Sequence, residues 1–227
     1  MALTLIIGNK NYSSWSFRPW IAMKVARIAF EEKVIPLYEP GSREQILGYS
    51  PAGKVPVLVD GGQRIWESLA ILEYLAEKFP EAQLWPTDPS ARAHARTVAA
   101  EMHSGFQALR KNCPMNFWLP VKPRLQPDDV MKNVRRIEEI WNGCLTRFGK
   151  SGPFLFGAFG AVDAMYAPVV ARLYSYGIRV GDRSRSYMNA VMALPAWGEW
   201  RAAALKETWI LKEDEPEWPL IRGVAVE

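Results

Sequence analysis

The chain has 227 residues, of which 49% are hydrophobic and 23% are charged, as expected for a soluble folded protein of one large or two small domains. Its net charge of +4 suits anionic small molecules, but no dense run of Lys and Arg argues for nucleic acid. No stretch approaches transmembrane length, and the start lacks the features of a signal peptide. We therefore expect a cytoplasmic protein that binds neither nucleic acid nor membrane.

Strand and helix signals alternate in the first third of the chain. The apolar run Leu3 to Ile7 predicts a buried strand, and the helical period of residues 19–29 predicts a helix after it. Residues 33–38 predict a second strand, and a short helix is expected around residues 42–47. This order begins a βαβα pattern.

A hairpin and a helix follow. Two short apolar runs, residues 55–59 and 63–66, flank a Gly-Gly turn and predict a β-hairpin. Residues 67 and 68 then open a strongly amphipathic helix that continues to Phe79. Together these elements predict a mixed sheet with helices on its faces.

From Ser90 onward the chain shows helical patterns without a convincing strand. The proline-rich residues 80–90 predict a linker, and Asp88-Pro89 has the pattern of a helix start. The helix predicted at residues 163–176 is nearly all apolar and should therefore be central. The predicted helices span residues 92–111, 130–148, 163–176, 184–192 and 194–208, with a proline-rich break at 120–129 and an irregular tail at 213–227.

The cysteines and histidines show no metal or redox pattern. Cys113 and Cys144 form no CxxC, and we interpret both as buried, reduced thiols. His94 and His103 are too isolated to suggest a metal site. We predict no metal.

Two adjacent hydroxyls, Ser13 and Ser14, lie where the first strand is followed by a helix. A helix start presents unpaired backbone N–H groups and the positive end of a dipole. Together with two hydroxyl donors, such a position could hold an anion or a thiolate. The alternative is that Ser13, Ser14 or Ser16 merely caps the helix.

Two further positions could bind a peptide-like ligand. A cis bond at Val55-Pro56 would leave the backbone of Val55 free to pair with an extended peptide, although most X–Pro bonds are trans. Ser68 at a helix start could bind a carboxylate and Glu67 an ammonium group, unless Ser68 is a simple cap. With the two serines, these positions suit a peptide that has a thiol and a free α-amino acid end.

Four motifs in this order and spacing resemble those of the cytosolic glutathione S-transferases, most closely the bacterial zeta-like, maleylacetoacetate isomerase-like branch. Ser13 to Arg18 is similar to that class's Ser-Ser-Cys-Ser-x-Arg motif. Ser50 to Leu58 is similar to Asn-Pro-x-x-x-Val-Pro-x-Leu, which carries a cis-proline in the family. Glu67 to Ile71 resembles Glu-Ser-x-Ala-Ile, and Phe154 to Ala164 resembles the folding motif before the central helix of the second domain.

The resemblance implies a thioredoxin-like α/β domain (βαβαββα) in residues 1–80, a linker in 81–89 and an all-α domain in 90–227. It also implies a homodimeric, cytoplasmic detoxification enzyme. Trp15 replaces the Cys of the family motif, which favours thiolate activation over thiol exchange. Gly160 replaces the usual Ser or Thr cap before Asp163, which we interpret as structural.

The resemblance also assigns residues to a glutathione site and to an electrophile site between the domains. Ser13 matches the serine to which the zeta class often gives the catalytic role, whereas Ser14 lies nearer the helix start and aligns with the serine of other classes. Expected glutathione-binding residues are Ser13, Ser14, Arg43, Lys54, Val55, Pro56, Glu67 and Ser68. Expected walls of the electrophile site are Tyr12, Trp15, Met102, His103, Phe106, Arg110 and Met115.

Three of these walls, His103, Phe106 and Arg110, recur at i, i+3 and i+7 and would share one helix face, with Arg110 holding an anionic substrate. The alternative for His103 and Phe106 is ordinary core packing.

A serine hydroxyl and a helix N-terminus together supply enough free energy to ionise a bound thiol near neutral pH. Lowering a thiol pKa from about 8.5 to about 6.5 needs roughly 2.7 kcal/mol. One hydrogen bond to a charged group supplies about 1.5–3 kcal/mol, and a helix N-terminus adds roughly 0.3–1 kcal/mol. Neither a metal nor a histidine base is required.

Three functions remain open from the sequence. The first is a transferase that conjugates glutathione to electrophiles. The second is a glutathione-dependent cis–trans isomerase of a dicarboxylic β-diketo acid, as the zeta resemblance suggests. The third is a non-catalytic stress protein that binds glutathione without turnover.

Overall fold

A four-stranded mixed sheet forms the N-terminal part of the protein, whose computed structural model describes residues 3–119 and 126–215. Its strands are β1 Leu3–Ile7, β2 Phe30–Val34, β3 Val57–Asp60 and β4 Gln63–Trp66, in the order β2-β1-β3-β4. β1 pairs in parallel with β2 and antiparallel with β3, which forms a hairpin with β4. The predicted mixed sheet and hairpin are confirmed.

Helices cover both faces of the sheet. Side chains alternate along β1, so each face presents apolar residues that a helix can bury. Leu5 and Ile7 belong to the large core that contains residues of α1 (Ser14–Val25) and α3 (Ser68–Lys78). Ile6 points to the other face and packs with residues around the short helix α2 (Ser42–Leu47). The sheet thus places the starts of α1 and α3 beside each other at one end of the core.

Six further helices form the second part of the described chain: α4 Pro89–Ser104, α5 Gln107–Asn112, α6 Asp128–Arg147, α7 Ala161–Ser175, α8 Asp182–Met192 and α9 Pro195–Ala204. Nearly every residue of α7 is buried, as its apolar sequence predicts. It packs against both α1 and α4 and so connects the helical part to the α/β part. The domain limits 1–80, 81–89 and 90–227 stay a prediction.

The predicted helix 92–111 is wrong, because it is interrupted at Gly105 and Phe106. Phe106 has a positive φ of 63°, and a Cβ on Gly105 would lie 2.8 Å from the carbonyl oxygen of Glu101. Arg110 folds back and donates to the carbonyl groups of Met102 and Gly105. The supposed common face of residues 103, 106 and 110 therefore does not exist.

Two boundaries in the α/β part also differ from prediction. The first helix begins at Ser14 rather than at Pro19. The sequence pattern missed this start because the first turns are buried almost all round and show no amphipathic period. The second strand is Phe30–Val34 rather than residues 33–38. Its start was missed because this edge strand is charged and exposed in its middle and therefore lacks an apolar run.

Two predicted acidic positions at helix starts have the expected contacts. Asp88 caps α4 by accepting from the backbone N–H of Ala91 at 2.7 Å, with Pro89 at the first helical position. Buried Asp163 accepts from the backbone N–H groups of Gly160 at 2.9 Å and Leu155 at 3.1 Å. These bonds agree with a structural role for Asp163.

The proline-rich break lies partly, and the tail mostly, outside the described residues. Of the helices in the described ranges, none combines the length and apolar character needed to cross a bilayer.

Candidate active site

A cavity of about 690 Å³ opens beside the N-terminus of α1, between the α/β part, the helical part and residues 205–215, which follow α9 and are called the C-terminal segment below. Its lining carries more positive than negative charge. The basic residues are Arg43, Lys54, Arg110 and Arg172, and the acidic ones are Glu39 and Asp214. The lining residues are Tyr12, Ser13, Ser14, Trp15, Leu37, Tyr38, Glu39, Ser42, Arg43, Ile46, Gly53, Lys54, Val55, Arg110, Pro114, Met115, Arg172, Leu211 and Asp214.

The two serines at the cavity have different partners. The Ser13 hydroxyl donates to Ser16 Oγ at 2.7 Å, and Ser16 Oγ also accepts from the backbone N–H of Gly8 at 3.1 Å. Ser13 occupies the position before α1, but its side chain makes no capping hydrogen bond. Ser14 is the first residue of α1, and its Oγ accepts from Arg172 Nη2 at 3.1 Å. Ser14 therefore keeps its own hydroxyl proton for a partner in the cavity.

Arg172 was not predicted as a site residue, yet it lies behind Ser14. Its side chain is buried, and its Nε donates to the carbonyl oxygen of Cys113 at 2.9 Å. Burial lowers the pKa of Arg172 to about 10, and the nearby Arg110 charge acts in the same direction. The available sequence signal was its place as the single cation in the apolar stretch 163–176.

Trp15 forms the wall next to Ser14 and is held between cations. The guanidinium carbon of Arg18 lies 4.2 Å from its ring centroid, and that of Arg110 lies 4.8 Å away. The His103 ring meets it edge-on at 5.3 Å. These cation–π contacts fix the indole in place. The indole ring occupies the position at which the family motif has the smaller cysteine side chain.

A smaller pocket of about 200 Å³ lies at the N-terminus of α3 and shares Trp15, Lys54 and Val55 with the large cavity. Its walls are Trp15, Lys54, Val55, Pro56, Trp66, Glu67 and Ser68. The Val55–Pro56 bond is cis, as the resemblance implies. Because β3 begins only at Val57, Val55 lies outside the pairing of β3 with β1.

Glu67 and Ser68 both lie at the start of α3, but in different environments. Glu67 precedes the helix with a positive φ of 69°, a strained conformation for this residue type, and its side chain is 52% exposed. Ser68 is the first helical residue and is fully buried. It therefore is not the simple cap that the alternative interpretation required.

Arg18 lies under this small pocket without a matching anion. Its side chain is fully buried, and Nη1 reaches Ser68 Oγ at 3.5 Å. Within the described ranges, Nε and Nη2 have no hydrogen-bond partner. Burial and the nearby Arg110 and Arg172 charges hold the pKa of Arg18 well below its usual value.

The predicted electrophile walls divide into two groups. Tyr12, Trp15, Arg110 and Met115 do line the large cavity. Met102 and Phe106 are instead buried in the core, and His103 faces Trp15 and Glu67, with 3.6 Å between Nε2 and Oε2. None of these three residues is part of the cavity wall: Met102 and His103 lie on α4 before the break, and Phe106 lies at the break itself.

The C-terminal segment supplies contacts that the sequence did not reveal. Glu207 accepts from the backbone N–H groups of Lys10 at 2.6 Å and Asn11 at 2.9 Å. The Tyr12 hydroxyl donates to Glu215, and burial together with this carboxylate raises the pKa of Tyr12. The segment thereby holds the loop before Ser13 in place.

Predictions about the two cysteines and the candidate metal ligands were also made from the sequence. Cys113 and Cys144 are both buried and are not joined in a disulfide, and burial raises the pKa of Cys144 to about 12. In the described part of the chain, no group of three or more His, Cys, Asp or Glu side chains could hold a metal ion.

Comparisons with known proteins show the family of the chain. The model of the glutathione S-transferase N-terminal domain matches residues 12–78, and that of the C-terminal domain matches residues 92–203. Glutathione S-transferase 1 of Dianthus caryophyllus is 30% identical over 75% of this chain and 78% of that protein. The chain belongs to the glutathione S-transferase family. Its membership confirms the resemblance and the predicted fold class.

Other similar proteins match different shares of the chain. The zeta-class glutathione S-transferase of Euphorbia esula is 34% identical over 60% of this chain and 63% of its own length. The probable maleylacetoacetate isomerase of Caenorhabditis elegans is 42% identical over 43% of this chain, a match that spans less than half of that relative. A Burkholderia glutathione transferase homolog, solved with bound glutathione, has a TM-score of 0.68 and 21% identity over 90% of this chain and 98% of its own.

Proposed function

We propose that the chain is a glutathione S-transferase in which Ser14 stabilises the glutathione thiolate for attack on an electrophile. The observation that carries this proposal is the 3.1 Å bond from Arg172 Nη2 to Ser14 Oγ. Because Ser14 Oγ accepts this charged donor, the hydroxyl proton is available to a sulfur in the cavity and is made more acidic.

The two pockets suit the two ends of glutathione. The α-carboxylate of its glutamyl group fits the N-terminus of α3 at Ser68, and Glu67 accepts from the ammonium group. The backbone of Val55 pairs with the central peptide, which places the thiol beyond Trp15 at Ser14. Arg43 and Lys54 line the large cavity and attract the glycyl carboxylate.

The energies support a thiolate near neutral pH. A shift of two pKa units needs roughly 2.7 kcal/mol. A charge-assisted hydrogen bond from Ser14 contributes about 1.5–3 kcal/mol, and the α1 N-terminus adds roughly 0.3–1 kcal/mol. The buried charge of Arg172 acts in the same direction. In conjugation, the thiolate electron pair then forms the new carbon–sulfur bond while the leaving group departs with the electrons of the broken bond.

A second candidate function is glutathione-dependent cis–trans isomerisation of a dicarboxylate. It is favoured by Arg110 and Arg172, two cations on one cavity wall that could each hold a carboxylate. The thiolate would add to the double bond, allow rotation and leave again, so that glutathione is regenerated. Trp15 favours conjugation instead, because it makes that corner bulkier and more apolar.

The test is a titration of bound glutathione by ultraviolet thiolate absorbance against pH. We expect a thiol pKa near 6.5, an estimate from the two-unit shift, and loss of that shift in Ser14→Ala but not in Ser13→Ala. Glutathione that binds with an ordinary thiol pKa would refute thiolate activation and favour the binding-protein alternative. Turnover of an aryl halide against that of an unsaturated dicarboxylic acid then separates conjugation from isomerisation.

From family membership we also propose that the chain acts as a cytoplasmic homodimer. Light scattering after gel filtration tests the oligomer: a mass near 51 kDa, twice the 25.7 kDa of the chain, is expected, whereas 25.7 kDa contradicts it.

A further inference from the structure

The loop before α1 is a tight turn whose two middle N–H groups are bound by a carboxylate of the C-terminal segment. The backbone N–H of Ser13 donates to the carbonyl oxygen of Asn9 at 2.8 Å and closes the turn. Among the described residues, the N–H groups of Lys10 and Asn11 have no backbone acceptor. They donate instead to Glu207 at 2.6 and 2.9 Å, one to each carboxylate oxygen. Successive backbone N–H groups of a turn bind anions well, so a carboxylate is a fitting acceptor here.

This turn is buried, which makes its acceptor hard to replace. Asn11 is fully buried and Lys10 is 8% exposed. A buried N–H group without an acceptor destabilises the conformation that holds it. Burial raises the pKa of Glu207, whereas the two N–H groups and the Lys10 ammonium favour its charged form and the Glu32 carboxylate opposes it. Glu32 is itself paired with Lys10 at 2.7 Å, so the turn and Glu207 depend chiefly on each other.

The same turn leads directly into the serine proposed to activate the thiol. The backbone N–H of Ser14 donates to the carbonyl oxygen of Tyr12 at 2.8 Å, and both residues line the large cavity. The Lys10 carbonyl oxygen accepts from Trp200 Nε1 at 2.9 Å, so α9 holds the turn at a further point. A hydrogen bond weakens steeply with poor alignment, and a shift of about 1 Å at a catalytic group can cost roughly 100-fold in rate. A displaced turn would therefore weaken catalysis.

We propose that Glu207 is a positioning residue for thiolate activation: its carboxylate fixes the turn so that the Ser14 hydroxyl reaches the glutathione sulfur. This inference rests on the proposed function. Glu207 is absent from the wall of the cavity as the structure describes it, so it acts through the turn and not by contact with the ligand. A residue 197 positions after Lys10 thereby becomes part of the catalytic apparatus.

The test is an ultraviolet thiolate titration of glutathione bound to the full chain, with and without Glu207→Gln. Gln has nearly the same shape, but it keeps one acceptor oxygen and turns an NH₂ group toward the second backbone N–H. We expect the thiol pKa to rise by about one unit, which lowers the thiolate fraction at pH 6.5 roughly 5-fold. The dissociation constant of glutathione should change little, because the groups proposed to bind its two carboxylates lie outside the turn.

Glu199→Gln is the matched control. Glu199 also joins α9 to α1, through an exposed ion pair of 2.6 Å with Lys24, but it makes no contact with the turn in the described structure. The same substitution there should leave the thiol pKa as in the unmodified chain. A role of Glu207 in stability alone predicts instead a lower melting temperature with an unchanged thiol pKa.

Equal thiol pKa values in Glu207→Gln and the unmodified chain would overturn this inference alone, whatever the melting temperature. Should the Gln variant fail to fold, Glu207→Asp takes its place. Asp keeps the charge but is one methylene shorter and cannot span both N–H groups, so the thiol pKa should rise there too, and an unchanged value would again overturn the inference. An ordinary thiol pKa in the unmodified chain would refute the proposed function, and this inference with it.

Discussion

Arg172 Nη2 donates to Ser14 Oγ across 3.1 Å, although 158 residues separate the two in sequence. The bond joins the central helix α7 of the helical part to the first residue of α1. It distinguishes Ser14 from Ser13, whose hydroxyl proton is already bound to Ser16 Oγ. The asymmetry between the two serines leads directly to the first prediction.

Ser14→Ala should lower kcat/KM by about 10- to 100-fold at pH 6.5, the effect of losing one hydrogen bond to a charged group. The loss should shrink at pH 9, where a thiol with an ordinary pKa ionises without help. Steady-state rates with an aryl halide across pH 6 to 9 measure this. Ser13→Ala is the control, and a larger loss there would assign the catalytic role to Ser13.

Arg172→Gln should raise the pKa of bound glutathione, because Gln keeps a donor near Ser14 but removes the charge. Activity should then rise with pH over a range shifted upward from that of the unmodified chain. Ultraviolet thiolate titration gives the shift directly. An unchanged thiol pKa would show that the charge of Arg172 does not act on the sulfur.

Arg110→Ala should weaken anionic electrophiles more than neutral ones, since this cation lines the cavity. Arg110 also donates to carbonyl groups at the end of α4, so some loss of stability is expected as well. Comparing KM for a carboxylated and an uncharged substrate separates the two effects. Equal effects on both substrates would refute a role in substrate binding.

Trp15→Cys should add thiol–disulfide exchange, because a thiolate beside Ser14 can attack a glutathione mixed disulfide and release the other thiol. Trp15→Ser opens the same space without a thiol and serves as the control. The reduction of a small mixed disulfide by glutathione measures the gain. Similar rates in both variants would mean that space at this position, rather than the thiol, limits the reaction.

Asp163→Asn should change the pH dependence of stability. Burial raises the pKa of Asp163 to about 6, so the folded protein binds a proton that the unfolded chain releases near pH 4. The contribution of this group is therefore greatest below pH 4 and is lost as pH rises to about 6, by roughly 3 kcal/mol for two pKa units. Asn cannot ionise and should abolish this slope.

Urea unfolding of both proteins at pH 4, 5, 6 and 7 tests the predicted effect of Asp163 on stability. The stability of Asp163→Asn relative to the unmodified chain should rise across this range, and parallel pH profiles would contradict the assignment.

Local pattern was sufficient for much of the fold. A continuous apolar run located β1, two apolar runs around a Gly-Gly turn located the hairpin, and a helical period located α3. The same reasoning missed the start of α1, which is buried almost all round, and the break at Phe106, where a positive φ leaves no periodic signal.

The fold class, the family resemblance and the positions of Ser13, Ser14, Glu67 and Ser68 could be read from short motifs at strand and helix ends. The surroundings of these residues became visible once the folded chain was known. Arg172 meets Ser14, and Arg18 lies beneath Ser68, because separate elements pack into one core. Such contacts follow from three-dimensional packing, which places residues far apart in the chain within hydrogen-bond distance and buries their charges together.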